Sequence, residues 1–257
     1  MLIGLMINCI YIENLTAHFP NINFEEVCDS NFFTIDIQQN EHKHLKALRI
    51  KQNEKILITN GQGIIALAMM ELISKTSYKI RINKIIKQFN ELPFRLGLAI
   101  GMLTNKERFE FAIEKCTELG VTDIFPIISD FSQTKNINYE RIKSKTIAAI
   151  TQCKRSCLPK IHSPISTVEL IKSVTVQGSA NYFDLIILAD ENGIQPTKQP
   201  NNLKDNKNII AFIGCEGGFS ERELNNFPIQ TIKWNLGNRR LRAETAAILT
   251  IGILSLQ

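Results

Sequence analysis

The sequence lacks the cysteine pairs, long apolar runs and internal repeats that mark several large classes of protein. Its six cysteines are scattered and form no CxxC pair, so a disulfide framework is not indicated. No apolar run reaches the roughly 18 residues that span a bilayer. The apolar residues 1–7 have neither a basic leader nor a small-residue cleavage site, and we interpret them as a first strand or an extension. We therefore predict a cytoplasmic protein with free thiols and no membrane segment.

Two groupings of histidine or cysteine are candidates for a metal site, and neither has enough ligands around it in the sequence. His42 and His44 alternate as on a strand, whereas Cys153 and Cys157 would share one face of a helix, with His162 beyond. No cluster of carboxylates or further cysteines accompanies either grouping, although zinc sites in proteins usually supply three or four ligands. We predict no metal site.

Positive charge is missing from the first 42 residues, which hold six acidic residues and no Lys or Arg. Residues 43–87 reverse this balance, with ten Lys or Arg against only Glu54 and Glu71. Such a basic stretch can neutralise the phosphates of a nucleic acid. Lysines at strand edges also keep sheets from pairing with one another, so charge alone leaves an ordinary solvated surface as the alternative.

Residues 30–88 have the pattern of a small all-β unit. The predicted strands are 32–37, 55–59, 64–68 and 78–82. Asn-Gly-Gln-Gly at residues 60–63 is a hairpin signal, because Asn and Gly accept positive φ. Many short strands separated by turn residues predict a β-barrel. The pattern changes near residues 88–93, where we place a domain boundary.

Apolar strands alternate with helices in the remainder of the chain. The predicted strands are 94–100, 121–128, 185–189 and 209–213. Thr104 and Glu107 form a capping-box pattern for a helix that runs to Gly120, and a second helix is predicted over residues 139–154. Uninterrupted apolar strands are covered on both faces, so this half predicts a mostly parallel sheet with flanking helices.

The common nucleotide-binding loops are absent, and a different glycine loop is present. Gly-Cys-Glu-Gly-Gly-Phe-Ser at residues 214–220 is neither GxGxxG nor GxxxxGK[ST]. Its three glycines allow the backbone to approach a flat ligand such as adenine. Ser220 and Glu223 form a capping box, and Phe219 and Leu224 occupy the staple positions, so a helix begins at the end of the loop. A tight turn without a ligand remains the alternative.

A second motif, Leu-Gly-Asn-Arg-Arg-Leu-Arg-Ala-Glu-Thr-Ala at residues 236–246, precedes an apolar helix over residues 246–254. Arg239, Arg240 and Arg242 cluster at the helix start, where cations oppose the helix dipole. This unfavourable placement indicates a use, such as holding a phosphate or a substrate, unless the arginines pair with Glu244 or point to solvent. The helix is apolar around most of its circumference, which predicts burial in the core or against a partner subunit.

Together the two motifs resemble those of the SPOUT methyltransferases, and more closely the family called ribosomal RNA small-subunit methyltransferase E. The pattern GxEGGFS, then LGxxxLRxETA and an apolar helix, is the specific part of the resemblance. Weaker matches are the Lys-x-x-Glu-Leu-Gly-Val pattern ending at residue 121, Gln152 with Arg155 and Pro159, His42 with Leu48 and Arg49, and the turn at 60–63. The similarity covers most of residues 30–254.

The resemblance implies a fold and an activity that the residue pattern does not give by itself. The expected fold is an α/β trefoil-knot domain with a mostly parallel sheet over residues 91–257, preceded by a PUA-like β-barrel that binds RNA over residues 1–90. The expected activity is S-adenosyl-L-methionine-dependent methylation of N3 of one uridine in 16S ribosomal RNA, within the small subunit or its precursor. The resemblance also implies a homodimer.

The family's functional positions carry over to named residues of this chain. The implied cofactor contacts are Leu188, Gly214, Glu216, Gly217, Leu236, Gly237 and Leu241. The implied RNA contacts are Arg49, Lys106, Arg155 and Arg240. The implied catalytic residues are Arg242 and Glu244. The chain departs from the family at Cys215, where Pro is usual, and at Phe131, where Arg is common.

For the reaction, the residue types favour electrostatic roles. Arg242 stays protonated and cannot act as a base, so we expect it to stabilise negative charge on the uracil carbonyls. Glu244 would orient Arg242 or accept a proton, and we favour orientation. The alternatives are a ribose 2′-O-methyltransferase on the same scaffold, a non-catalytic ribosome-assembly protein that binds RNA and, less favoured, a transfer-RNA substrate.

Overall fold

The structure, a computed structural model, describes residues 7–13, 15, 32–35, 49–72, 78–196 and 208–256. The predictions for residues 1–6, His42, His44 and Leu48 lie outside the described residues. The chain divides into two units: residues up to Glu91 together with Ile150–Leu158, and residues Leu92–Ala149 together with Pro159 onward. The sequence pattern indicates a change near residues 88–93, but it does not indicate that Ile150–Leu158 returns to the first unit.

The first unit contains a mainly antiparallel sheet of five described strands. They are β1 Cys9–Tyr11, β2 Phe32–Ile35, β3 Lys55–Thr59, β4 Ile64–Leu72 and β5 Tyr78–Lys87, in the order β1-β3-β4-β5-β2. Only β1 and β3 pair in parallel. The predicted hairpin between β3 and β4 is confirmed, because Gly61 and Gly63 have φ of 70° and 91° and Asn60 Oδ1 accepts a hydrogen bond from Gln62 N at 2.8 Å.

Glu91 joins the segment Ile150–Leu158 to the rest of the first unit. Its carboxylate accepts hydrogen bonds from Arg155 Nη2 at 2.7 Å and from the backbone N–H groups of Ser156 and Cys157, both at 2.8 Å. The side chain of Arg155 is 2% exposed, so the prediction that Arg155 contacts RNA is wrong. The guanidinium is already satisfied by a buried carboxylate and does not reach the surface.

The second unit is a parallel sheet with helices between its strands. Its elements are β6 Arg95–Gly101, α1 Lys106–Glu118, β7 Asp123–Ile128, α2 Tyr139–Cys153 (whose last residues belong to the first unit), β8 Lys160–Ile161, β9 Ile165–Ser166, α3 Thr167–Thr175, β10 Leu185–Ile194, β11 Asn208–Ile213, α4 Glu221–Leu224, β12 Ile232–Trp234 and α5 Ala243–Ser255. The strand order is β12-β10-β11-β6-β7-β8, with β9 beside β7, and every pairing is parallel. The predicted parallel sheet is confirmed. Within the described ranges, every helix is too short or too polar to cross a membrane.

Helix α1 begins one residue later than the capping pattern predicts. Asn105 is the N-cap, and its Oδ1 accepts a hydrogen bond from Arg108 N at 3.0 Å. The backbone N–H of Thr104 instead donates to Glu216 Oε1 at 3.0 Å. Thr and Asn are both favourable N-cap residues, so residue type alone does not decide which of the two begins the helix. The contact of Thr104 with Glu216 favours Asn105 as the N-cap.

An ionic cluster secures the amino-terminal edge of the parallel sheet. Asp123, at the start of β7, accepts hydrogen bonds from Arg95 Nε and Nη2, each at 2.8 Å, and lies 2.9 Å from His162 Nε2. Burial by itself would raise the pKa of Asp123, but the hydrogen bonds from Arg95 and His162, with the charge of Arg95, hold it well below the usual range. The His162 ring also stacks on Phe125, with ring centroids 3.9 Å apart.

We expect Asp123→Asn to lower the free energy of unfolding by about 3 kcal/mol at pH 7, because it leaves Arg95 beside a neutral amide. The pKa of Asp123 is depressed in the folded state, so its stabilisation is complete above the unfolded value of about 3.9 and is lost as the pH falls below it. Urea unfolding of both proteins from neutral to acidic pH measures this difference. The exposed Glu140→Gln is the control. A deficit that stayed constant into strong acid would contradict the assignment.

Candidate functional site

A cleft of about 1070 Å³ lies at the carboxyl ends of β10, β11 and β12. Three segments form most of its wall: residues 189–192, residues 213–219 and residues 234–244, with Arg108 from α1 completing it. Ligands of open parallel sheets bind at this edge, because the loops after the strands converge there. Both sequence motifs therefore lie in one cleft.

The glycine loop after β11 packs closely within itself and against the end of β6. A Cβ on Gly214 would lie 2.7 Å from the Cα of Gly218, and a Cβ on Gly101, at the end of β6, would lie 2.2 Å from the backbone N of Cys215. Gly218 has φ of 73°, and its N–H closes the loop by donating to Cys215 O at 2.9 Å. Gly101 is thus part of the loop's support, although no local sequence signal indicates this.

Helix α4 begins directly after the loop, and hydrogen bonds fix its first turn. The predicted capping box is confirmed: Ser220 Oγ accepts from Glu223 N at 3.2 Å, and Glu223 Oε2 accepts from Ser220 N at 2.9 Å. Glu223 Oε1 also accepts from Asp130 N at 3.2 Å. The Asp130 carboxylate in turn accepts hydrogen bonds from Arg222 and from Ser220 Oγ, which lower the pKa of Asp130. The loop is therefore tied to the residues that follow β7.

Cys215, where the resemblance leads us to expect Pro, turns its side chain into the protein. It is 5% exposed, and its Sγ accepts a hydrogen bond from Ser129 Oγ at 3.3 Å. Its backbone still forms a bridge with Gly218. The substitution thus leaves the loop closed and replaces the restriction imposed by a proline ring with a side-chain contact.

Asn235 shapes the second wall of the cleft. Its backbone N–H donates to Ile194 O at 2.8 Å, and its side-chain amide bridges from Glu191 O to the N–H of Gly237. Gly237 has φ of 119°, which favours glycine, and a Cβ there would have no atom within 4 Å. The segment after β12 is therefore fixed against β10 and bends at Gly237 towards the arginines.

The three arginines of the second motif are all exposed and line the cleft. Arg242 is the N-cap residue of α5, in an extended conformation, and its carbonyl accepts from Ala246 N at 2.9 Å. Its guanidinium has no acceptor atom with which to cap the helix, and the residue lines the cleft. The hydrogen bond from Ala246 N therefore fixes the backbone of Arg242 at the start of α5.

Glu244 pairs with a residue that the sequence analysis missed. Its Oε1 lies 3.7 Å from Nε of Arg108, and the side chains are 13% and 42% exposed, respectively. The motif predicts that Glu244 orients Arg242 or accepts a proton, and we favour orientation. The observed pair links the first turns of α1 and α5. Arg108 also stands in the first turn of its helix, where a cation is unfavourable, and this was the available signal.

Most predicted cofactor contacts lie together. Gly214, Glu216, Gly217, Leu236, Gly237 and Leu241 all line the cleft. Leu188 is fully buried, and its neighbour Ala189 takes its place in the wall. Of the predicted RNA contacts, Lys106 and Arg240 are exposed in the second unit and Arg49 is exposed in the first, at φ of 52°. Among the described residues, no group of three or more His, Cys, Asp or Glu is placed to hold a metal ion.

Comparisons with known proteins match both parts of the chain. A family profile described as an RNA methyltransferase domain matches residues 90–255, and one described as an RNA methyltransferase PUA domain matches residues 37–83. A protein of Mesomycoplasma hyopneumoniae is 32% identical over 81% of this chain and 88% of its own length. A protein of Buchnera aphidicola from Acyrthosiphon pisum is 30% identical over 91% and 92%, respectively. Both are named ribosomal RNA small subunit methyltransferase E.

The same fold occurs in a crystal structure of a ribosomal RNA small subunit methyltransferase E from Neisseria gonorrhoeae bound to S-adenosyl methionine. That chain is 23% identical, with a TM-score of 0.74 and coverage of 95% of both chains. The matches confirm the resemblance that the two motifs predict. They also confirm the predicted fold class, a SPOUT-type α/β unit that follows a PUA-like β unit.

Proposed function

Since the chain belongs to the RNA methyltransferase family, we propose that it methylates N3 of a specific uridine in 16S ribosomal RNA, with S-adenosyl-L-methionine as the methyl donor. The observation that carries this proposal is the meeting of the glycine loop and Arg242 in one cleft. At about 1070 Å³, the cleft reaches the upper end of the roughly 300–1,000 Å³ of small-molecule sites, which leaves room for a cofactor and a base.

The residues of the cleft fit S-adenosylmethionine. A Cβ on Gly218 or Gly237 would point into open space, so these glycines leave room for a ligand. Leu236 and Leu241 offer apolar surface for a flat base, and the Glu216 carboxylate complements a cationic ligand. When bound, the cofactor supplies an electrophilic methyl group. The protein then has to place the uracil and stabilise its charge.

Arg242 is the residue that we assign to charge stabilisation. Its guanidinium stays protonated, so it attracts the negative charge that develops on the uracil carbonyls as N3 loses its proton. The ion pair of Glu244 with Arg108 fixes the first turn of α5, directly after Arg242. In this role Glu244 positions Arg242 through the helix start. The uridine has to leave its stack to reach the cleft, as in other base-modifying enzymes.

Exposed side chains in each unit support the proposed partners. Arg240 and Lys106 in the second unit, and Arg49 in the first, are exposed cations that can contact RNA phosphates. Leu249 and Leu256 are 39% and 87% exposed and lie seven residues apart, on one face of α5 or just beyond its end. Their exposure supports a homodimer that covers this face. The substrate is expected in the cytoplasm, as part of the small subunit or its precursor.

Two measurements test the proposal. Calorimetry with the purified protein should detect binding of S-adenosylmethionine, and nucleoside mass analysis of ribosomal RNA from cells lacking the protein should show 3-methyluridine missing at one site. Return of the nucleoside with the wild-type gene is the control. Loss of a 2′-O-methyl nucleoside would favour the ribose methyltransferase. Failure to bind the cofactor at millimolar concentration would favour a non-catalytic assembly protein.

A further inference from the structure

Phe131 is a large apolar side chain held in an exposed position. It is 52% exposed and lies on the turn that follows β7. The turn is well braced: Ser132 N donates to Ser129 O at 3.0 Å, Ser129 N donates to Ser132 Oγ at 3.0 Å, and Asp130 N donates to Glu223 Oε1 at 3.2 Å. These hydrogen bonds hold the backbone of the turn, so the exposed face of the Phe131 ring is available for a planar group to stack on.

The ring rests directly on the glycine loop. A Cβ on Gly217 would lie 2.8 Å from Cβ and 3.1 Å from Cγ of Phe131, so a larger residue at 217 would displace the ring. Phe131 forms one wall of a pocket of about 350 Å³, whose other walls are Thr104, Gln133, Glu216 and Gly217. Glu216 and Gly217 also line the larger cleft, so the pocket lies beside the proposed methylation site.

The polar walls of the pocket suit the edge of a planar ring. Gln133 Oε1 lies within 3.5 Å of the Thr104 hydroxyl, which leaves the amide NH₂ as a donor. One oxygen of Glu216 accepts from Thr104 N, which leaves its other oxygen as an acceptor. A flat ring surface with a donor and an acceptor beside it matches an unpaired nucleobase, which stacks on aromatic side chains and presents both groups on its edge. An apolar protein segment would leave these groups unsatisfied.

We infer that Phe131 and Gln133 form a second base-binding site, which holds a nucleobase next to the one that is methylated. The base stacks on Phe131, and the amide of Gln133 donates to its edge. This inference rests on the proposed function for its RNA substrate.

The test compares Phe131→Ala with Phe111→Ala. Phe111 is 47% exposed on α1, outside the pocket, and so controls for loss of an exposed ring. Binding of a fluorescently labelled single-stranded oligouridine is measured by anisotropy over a range of salt concentrations. We expect Phe131→Ala to raise the RNA Kd about tenfold without changing its salt dependence. Phe131→Tyr should restore binding, and Phe111→Ala should match the wild type.

Three outcomes would overturn the inference: equal RNA Kd values for Phe131→Ala and wild type, equal losses in Phe131→Ala and Phe111→Ala, or a lowered salt dependence, which would indicate phosphate contacts instead. The cofactor Kd, measured in parallel by calorimetry, should be the same in all variants. Because RNA binding is measured without turnover, it reports on Phe131 even if the wild-type protein transfers no methyl group. Failure of the proposed function would therefore be seen separately, in the cofactor and nucleoside measurements.

Discussion

Arg242→Ala should lower kcat for methyl transfer by about 10²–10³, while the Kd for S-adenosylmethionine stays close to that of the wild type. The reason is that, in the proposed mechanism, the guanidinium acts on charge that develops in the transition state, whereas the backbone of the glycine loop is proposed to hold the cofactor. The backbone of Arg242 starts α5 by accepting from Ala246 N, and alanine preserves that bond. The fold should therefore survive. Methyl transfer from labelled cofactor to small-subunit RNA measures kcat, and calorimetry measures cofactor binding.

Two further variants separate the effects of charge and geometry at Arg242 from a change in net charge. Arg242→Lys keeps the charge but loses the planar fork of the guanidinium, so its kcat should fall between those of the wild type and the alanine variant. Lys172→Ala removes one exposed positive charge from α3, outside the cleft, and controls for net charge. Near-normal turnover by Arg242→Ala with bound cofactor would remove Arg242 from the mechanism.

Gly101→Ala should lower kcat/KM about a hundredfold, although residue 101 lies outside both sequence motifs. Its new Cβ would lie 2.2 Å from the backbone N of Cys215 and 2.8 Å from its Cα. These are backbone atoms, so no side chain can rotate away and the glycine loop has to move. We also expect weaker cofactor binding and a loss of up to about 3 kcal/mol in the free energy of unfolding, as in overpacked cores.

The control for Gly101→Ala is Gly178→Ala, which is also expected to lower stability but lies outside the cleft wall. Gly178 has φ of 81°, but a Cβ there would have no atom within 4 Å, and it is not part of the cleft wall. Gly178→Ala should therefore lower stability by about 1 kcal/mol through backbone strain and leave cofactor binding unchanged. If Gly101→Ala bound the cofactor as tightly as Gly178→Ala does, the loop would not depend on its contact with β6.

Local patterns predicted those features that depend on residues close in sequence. The capping box of Ser220 and Glu223 and the turn at residues 60–63 form as predicted, because each depends on a few neighbouring residues. The parallel sheet was predictable because uninterrupted apolar strands need cover on both faces. The cap of α1 was misplaced by one residue, since the contact that settles it joins Thr104 to Glu216, 112 positions away.

The two motifs predicted which of their own residues line the cleft. They could not predict the contacts that residues from other elements make with them. Gly101 touches Cys215 from β6 and shows in no local pattern. Arg108 reaches Glu244 from α1, and its unfavourable position in the first turn of that helix does not indicate which residue it pairs with. Arg155 was misassigned because an arginine that binds phosphate and one that binds a buried carboxylate look the same in a sequence. Only the position of Glu91 separates the two cases.

The buried carboxylate of Glu91 also bears on the order in which the chain folds during synthesis. Its hydrogen-bond donors are at residues 155–157, about 65 positions further on. Until the ribosome has released those residues, the first unit carries a carboxylate that only water can satisfy. The first unit therefore matures after β6, α1, β7 and α2 have been synthesised, rather than as an independent early domain. A nascent chain stopped near residue 91 should remain protease-sensitive, and one extended past residue 158 should gain protection.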